Sequence, residues 1–89
     1  MKSRTTAQFR KAFAGLPEQV QEQTREACRQ FRENPSHPSL RFKKVHLELP
    51  IYSARISKNY RAVGQLEGDT IIWFWVGSHA DYDKLPYQL

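Results

Sequence analysis

The stretch IYSARISKNYRAVGQLEGDTIIWFWV, residues 51–76, decides the fold of this chain. Tyr52, Ala54 and Ile56 alternate with other residues, the period of two that marks a half-buried strand. Ser57-Lys58-Asn59 is polar and reads as a turn, and residues 60–66 read as the returning strand. Glu67-Gly68-Asp69 is a second turn, where glycine supplies a backbone angle that most residues avoid. Ile71, Ile72, Trp73, Phe74 and Trp75 are apolar on both faces. Residues 70–76 are therefore expected as a central strand, covered from both sides or nearly so.

Working back from Ile51, Pro50 interrupts the pairing. Residues 40–46 read as another strand, but its phase shifts: Leu40 and Phe42 are even, Val45 and Leu47 odd. A bulge would account for the shift. Residues 37–39 read as a loop. Before them the period changes to that of helices. Thr5 or Thr6 can cap a first helix, with Phe9, Phe13 and Leu16 on one face. Gly15 ends that helix, and Pro17 starts the next at its first position, where the missing N–H costs nothing. Val20, Thr24, Ala27, Cys28 and Phe31 form the buried stripe of the second helix. It stops at Asn34-Pro35, because a residue before proline disfavours helical geometry. Residues 1–5 read as a short strand or arm, and the tail from Gly77 is polar and aromatic. The expected class is α+β: an N-terminal helical hairpin packed on a twisted antiparallel β-sheet, as one domain over residues 1–89.

Composition bounds the function. The chain has 89 residues, near the lower limit for one unaided core. Its aromatic side chains supply bulk where aliphatic ones are few. No apolar run approaches the ~20 residues of a membrane span, and the first residues lack the apolar stretch expected of a signal peptide. One cysteine excludes an internal disulfide framework, so a cytoplasmic location is expected. Lys and Arg total 14 against 9 acids, a formal charge of +5. Such a field attracts nucleic acid or an acidic protein partner, or serves solubility alone.

Where the arginines fall is more informative. If Ser57-Lys58-Asn59 is a three-residue loop, Arg55 stands directly across from Arg61. Like charges facing each other destabilise a sheet, unless acids relieve them or an anion bridges them. The planar arginine fork suits phosphate oxygens. The alternative is that each arginine is solvated, or pairs with Glu48, Glu67 or Asp81. His79 follows the central strand, where loops open and function often sits, and imidazole can act as acid or base near neutrality. Its alternative is to cap the strand end or to bond Asp81 or Asp83. Lys43 and Lys44 border the same face as candidate backbone contacts. Tyr82 offers a surface on which a base could stack, whereas Tyr52 is read as core. Residues 79–83 give a weak metal signal, since no second histidine or cysteine stands at ligand spacing. Cys28 reads as a core residue.

Taken in order, these pieces carry a resemblance: Phe-Arg-Lys-Ala-Phe-Ala-Gly-Leu-Pro at 9–17, Asn-Pro at 34–35, Pro-Ser-Leu-Arg-Phe-Lys-Lys-Val at 38–45, Ile-Tyr-Ser-Ala-Arg-Ile at 51–56, Asn-Tyr-Arg-Ala-Val at 59–63, and Trp-Phe-Trp-Val-Gly-Ser-His-Ala-Asp-Tyr at 73–82. The succession resembles the RelE/ParE toxin superfamily over nearly the whole chain. The resemblance implies a toxin encoded beside a cognate antitoxin. RelE-like members enter the ribosomal A site and cut mRNA there. The ribose hydroxyl attacks the adjacent phosphate, so neither metal nor other cofactor is needed. Carried over by position, Arg55 matches a second basic position on its strand, and Arg61 the arginine of a Tyr-Arg pair. His79 matches a basic or histidine position after the last strand, and Tyr82 approximates a tyrosine near the terminus. Two departures stand out. Ser53 replaces a first lysine, and Pro38-Ser39-Leu40 holds no carboxylate where some relatives place a base. ParE-like members share the scaffold and inhibit DNA gyrase without nuclease activity. The expected function is a metal-independent, ribosome-associated mRNA endonuclease. The alternatives are a gyrase inhibitor and a non-toxic orphan binding module.

Overall fold

A computed structural model describes residues 1–85 of the chain. The elements are β1 (Lys2–Thr5), α1 (Ala7–Ala14), α2 (Glu18–Glu33), β2 (Lys43–Lys44), β3 (Ile51–Ser57), β4 (Tyr60–Glu67), β5 (Thr70–Ser78) and α3 (His79–Tyr82). A 3₁₀ turn, Pro38–Leu40, precedes β2. The strands form one sheet in the order β1-β5-β4-β3-β2. All neighbours are antiparallel except β1, which runs parallel to β5, so the sheet is mixed. The return from β1 to the sheet runs through the helices, and such a crossover leaves its strands parallel.

The helical hairpin forms for the local reasons read above. Thr6 Oγ1 accepts the N–H of Phe9 at 3.1 Å and caps α1. Gly15 terminates it, donating its N–H to the carbonyl of Ala12. Pro17 takes the N-cap of α2 rather than its first helical position: its backbone is extended and its carbonyl accepts the N–H of Gln21. Asn34 is extended, as a residue before proline must be. Val20, Thr24, Ala27 and Phe31 are buried, and Cys28 is half-buried. The Thr24 hydroxyl is satisfied by donating to the Val20 carbonyl at 2.7 Å.

The core lies between this hairpin and one sheet face. Phe31 packs edge-on against Phe42 and Trp73, with ring centroids at 4.9 and 5.3 Å. Tyr52 stacks on Phe42 at 4.8 Å, the core role expected for it. Trp73 is buried, and its Nε1–H donates to Ser3 Oγ at 2.9 Å, tying β5 to β1. A second, smaller cluster of Ile51, Val63 and Tyr82 covers part of the opposite face, with Phe74, Trp75 and Leu85 against it. So β5 is an inner strand with apolar packing on both sides.

Residues 40–46 are not one strand. Leu40 closes the 3₁₀ turn, Arg41 has φ 44° in the left-handed region, and only Lys43–Lys44 pair with β3. The shifted phase therefore records a chain that changes direction, and Leu47 is 79% exposed in the loop beyond. The bulges lie elsewhere. The β4–β5 register steps from Val63↔Trp75 to Gly64↔Trp73, so β5 spends two residues where β4 spends one. That step lets Trp73 and Val76 face the helices while Trp75 faces the other side.

Candidate phosphate-binding face

Arg55 pairs directly with Arg61 across β3 and β4. The turn that achieves this differs from the one expected. Ser57 pairs with Tyr60, so the loop is only Lys58-Asn59, and a bulge at Ile56 restores the register. The Pro50 carbonyl bonds Leu66 and the Ile51 carbonyl bonds Val45, which fixes the alternation of β3. Arg55 and Arg61 are then a non-hydrogen-bonded pair, whose Cα atoms stand about 4.5 Å apart with side chains close.

Both arginines are half-buried. Neither makes an ion pair among the described residues, so the expected alternative partners Glu48, Glu67 and Asp81 are not used. Arg61 Nη1 instead donates to the carbonyls of Ser57 and Tyr60 at 2.9 and 3.1 Å, which orients the guanidinium. Burial lowers its proton affinity most, and repulsion from Arg55 and then Arg41 adds to this. Tyr82 and Asp83 oppose it. On its other side Arg61 faces Gly77, and no side chain projects there. A Cβ on Gly77 would lie 2.7 Å from Trp75 Cζ2, so the glycine is what allows the indole to lie against that strand.

His79 begins α3. Ser78 Oγ accepts the N–H of Asp81 at 3.1 Å, and the His79 N–H donates to the Asn59 carbonyl at 2.7 Å. That bond ties α3 to the turn between the two arginine strands. His79 Nδ1 lies 3.2 Å from Asp83 Oδ2, one of the pairings expected as its alternative role. The Tyr82 ring is 5.9 Å from His79 and 6.4 Å from Trp75, and Tyr82 is only 7% exposed. Tyr82 is thus a packing residue and not an open stacking surface. Lys43, Lys44, His46, His79, Tyr82 and Asp83 line a cleft of about 470 Å³. Lys43 and Lys44 are exposed there, and Lys44 Nζ donates to the Leu47 carbonyl at 3.4 Å.

The residues singled out from sequence fall into two adjoining groups. Arg55 and Arg61 face each other. His79 and Tyr82 share the cleft with Lys43 and Lys44. Tyr82 and Asp83 line the cleft and also oppose the lowering of Arg61's proton affinity. Arg55 also reaches a groove of about 810 Å³ between α2 and the 3₁₀ turn, away from His79. Ser53, at the position of the missing lysine, is buried at 3% exposure. Arg41 is the residue that sequence reasoning missed. It is the one non-glycine with positive φ among the described residues, and nothing in its neighbours signals that conformation. Burial pushes the Cys28 thiol up, as a core role requires. Among the described residues no three His, Cys, Asp or Glu converge as a metal site, and no helix is long and apolar enough to cross a membrane.

Solved structures share this architecture. The RelB–RelE antitoxin–toxin complex from Methanococcus jannaschii matches with TM-score 0.75 and 24% identity, over 93% of this chain and 99% of that one. YafQ from E. coli matches with TM-score 0.73 and 10% identity, over 91% and 96%. The YoeB/ParE toxin from Agrobacterium tumefaciens matches with TM-score 0.70 and 15% identity, over 89% and 99%. At these identities the likeness is one of fold. No curated protein matches the chain at a significant level. The family model that matches is the ParE-like toxin domain, over residues 18–84. With that span matched and the fold shared, the chain belongs to the ParE-like toxin family of the RelE/ParE superfamily.

Proposed function

We propose that the chain is the toxin of a toxin–antitoxin pair and cuts mRNA on the ribosome in the cytoplasm without a metal. The observation that carries this reading is Arg55 opposite Arg61 with no acid paired to either among the described residues. A phosphate between them offsets their repulsion, and the two forks stabilise the charge that builds on phosphorus. Arg41 also acts on Arg61 as a like charge and adds to the positive field of this face. The ribose 2′-oxygen forms a bond to phosphorus and the 5′-oxygen leaves, giving a 2′,3′-cyclic phosphate. His79 moves the proton of the attacking hydroxyl or of the leaving oxygen. Lys43 and Lys44 guide the RNA backbone through the cleft, and Tyr82 holds Arg61 and His79 in their relative places. The antitoxin–toxin complexes among the solved structures support a cognate antitoxin for this chain.

A second reading has its own support. The matching family model is the ParE-like one, and a buried Ser53 stands where the resemblance places a lysine. That reading is a gyrase-binding toxin without nuclease activity. Induction of the wild type and of Arg61→Ala separates the two. Primer extension on cellular mRNA should show new 5′ ends for the wild type and none for the variant. Growth arrest without new ends, accompanied by altered plasmid supercoiling and retained by Arg61→Ala, rejects the ribonuclease.

A further inference from the structure

Among the described residues Asp83 is the one carboxylate that lines the cleft, and it also acts on Arg61. Its charge is wrong for a surface that binds phosphate, because it repels the ligand that Lys43, Lys44 and the arginines attract. It contributes little to the fold, since its contact with His79 joins side chains 47% and 59% exposed. Its geometry is nevertheless well fixed. Its own N–H donates to the His79 carbonyl at 3.0 Å, and the His79 N–H is held by Asn59. Both side chains are short and lie one helical turn apart, so they meet with little entropy to lose.

We propose that Asp83 is a positioning residue that holds the His79 imidazole in one tautomer and orientation for proton transfer, a role resting on the ribonuclease reading above. Nδ1 stands 3.2 Å from the carboxylate, so a small side-chain rotation turns an Nδ1–H onto it as a hydrogen bond. Nε2 is then left as the nitrogen that exchanges a proton with the RNA. The Tyr82 ring 5.9 Å away limits how far the imidazole can swing.

The test uses Asp83→Asn, His79→Ala and the double variant, with two measurements. One is the single-turnover cleavage rate on programmed ribosomes. The other is affinity for an RNA made uncleavable by a 2′-deoxy sugar at the cut site. Asp83→Asn should slow cleavage by about tenfold or more while RNA binds as tightly as before or tighter. In the His79→Ala background the same substitution should change the rate by less than about twofold. A generic electrostatic role would raise binding and cleavage together, and a structural role would lower both. Either result overturns the proposal, as does an unchanged rate. Imidazole ¹⁵N spectra give a readout free of activity. The wild type should carry its hydrogen on Nδ1 of His79, and Asp83→Asn should release that preference. If the wild type cuts no RNA, the ribonuclease reading fails alone, and the spectra still judge the contact. A wild-type Nε2–H tautomer rejects it.

Discussion

Replacing Arg55 by glutamine keeps much of the side chain's stem and removes its charge. After burial, repulsion from Arg55 is the largest effect disfavouring the charge of Arg61. For two charges about 7 Å apart and an effective dielectric constant of about 40–80, Coulomb's law gives a repulsion of about 0.6–1.2 kcal/mol. No ion pair of Arg55 is lost with it among the described residues. Arg55→Gln should therefore stabilise the free protein by about that amount, a rise of about 2–10 °C in Tm for a domain of this size. The gain should shrink as salt is added, because the screening length falls from about 10 Å at 0.1 M to about 3 Å at 1 M. Inorganic phosphate should raise the wild-type Tm more than the variant's, since only the wild type presents both forks. Thermal melts at low and high NaCl, with and without phosphate, read all three. A variant less stable than the wild type at low salt, or an increment indifferent to salt, would refute the idea that the pair is held at an electrostatic cost. In cells the same variant should lose toxicity, which places the stabilised protein on the inactive side of a stability–function exchange.

Phe31→Ala removes a ring with 0% exposure that touches both Phe42 and Trp73, and should cost about 3–5 kcal/mol. That is much of the stability a small domain has, so urea titration should find the variant largely unfolded, and a midpoint near the wild type's would contradict the packing described. Gly64→Ala would put a Cβ 2.9 Å from Ile71 Cγ1 and Trp73 Cε3 and 3.0 Å from the Ile72 carbonyl. Overpacking of that kind should cost about 1–3 kcal/mol, read as a lower urea midpoint at constant slope. The Cys28 thiol, pushed up by burial, should be alkylated more slowly in the folded protein than in urea, by roughly an order of magnitude at pH 8. The fold favours the neutral thiol, so its contribution is intact below about pH 8.5 and is lost as pH rises through the higher folded-state value. Cys28→Ala should flatten that alkaline decline, and equal alkylation rates in both states would show that the thiol is not shielded.

Local chemistry made the helices and hairpins legible in the sequence. The Thr6 cap, the Gly15 stop and the helical period of Phe9, Phe13 and Leu16 act within a few residues, and so does proline at 17 and 35. The alternation of Tyr52, Ala54 and Ile56 fixed which face of β3 meets the helices, because a strand turned over would expose its apolar side. Arg55 opposite Arg61 followed from the same counting, although two deviations of the expected turn cancelled: the loop is one residue shorter and Ile56 is bulged. Residues 40–46 misled because periodicity cannot distinguish a bulged strand from a chain that turns through a 3₁₀ turn and a left-handed Arg41.

The sequence by itself determined the α+β class, the helical hairpin and the β3–β4–β5 meander, since these depend on contacts between near neighbours. Tertiary structure alone decided that β1 joins in parallel, that Arg41 approaches Arg61, that Tyr82 is buried, and that Asp83 meets His79 beside Lys43 and Lys44. These juxtapositions bring together residues from separate elements. Their distances come from how sheet, turn and α3 pack, and no periodicity within one element encodes them.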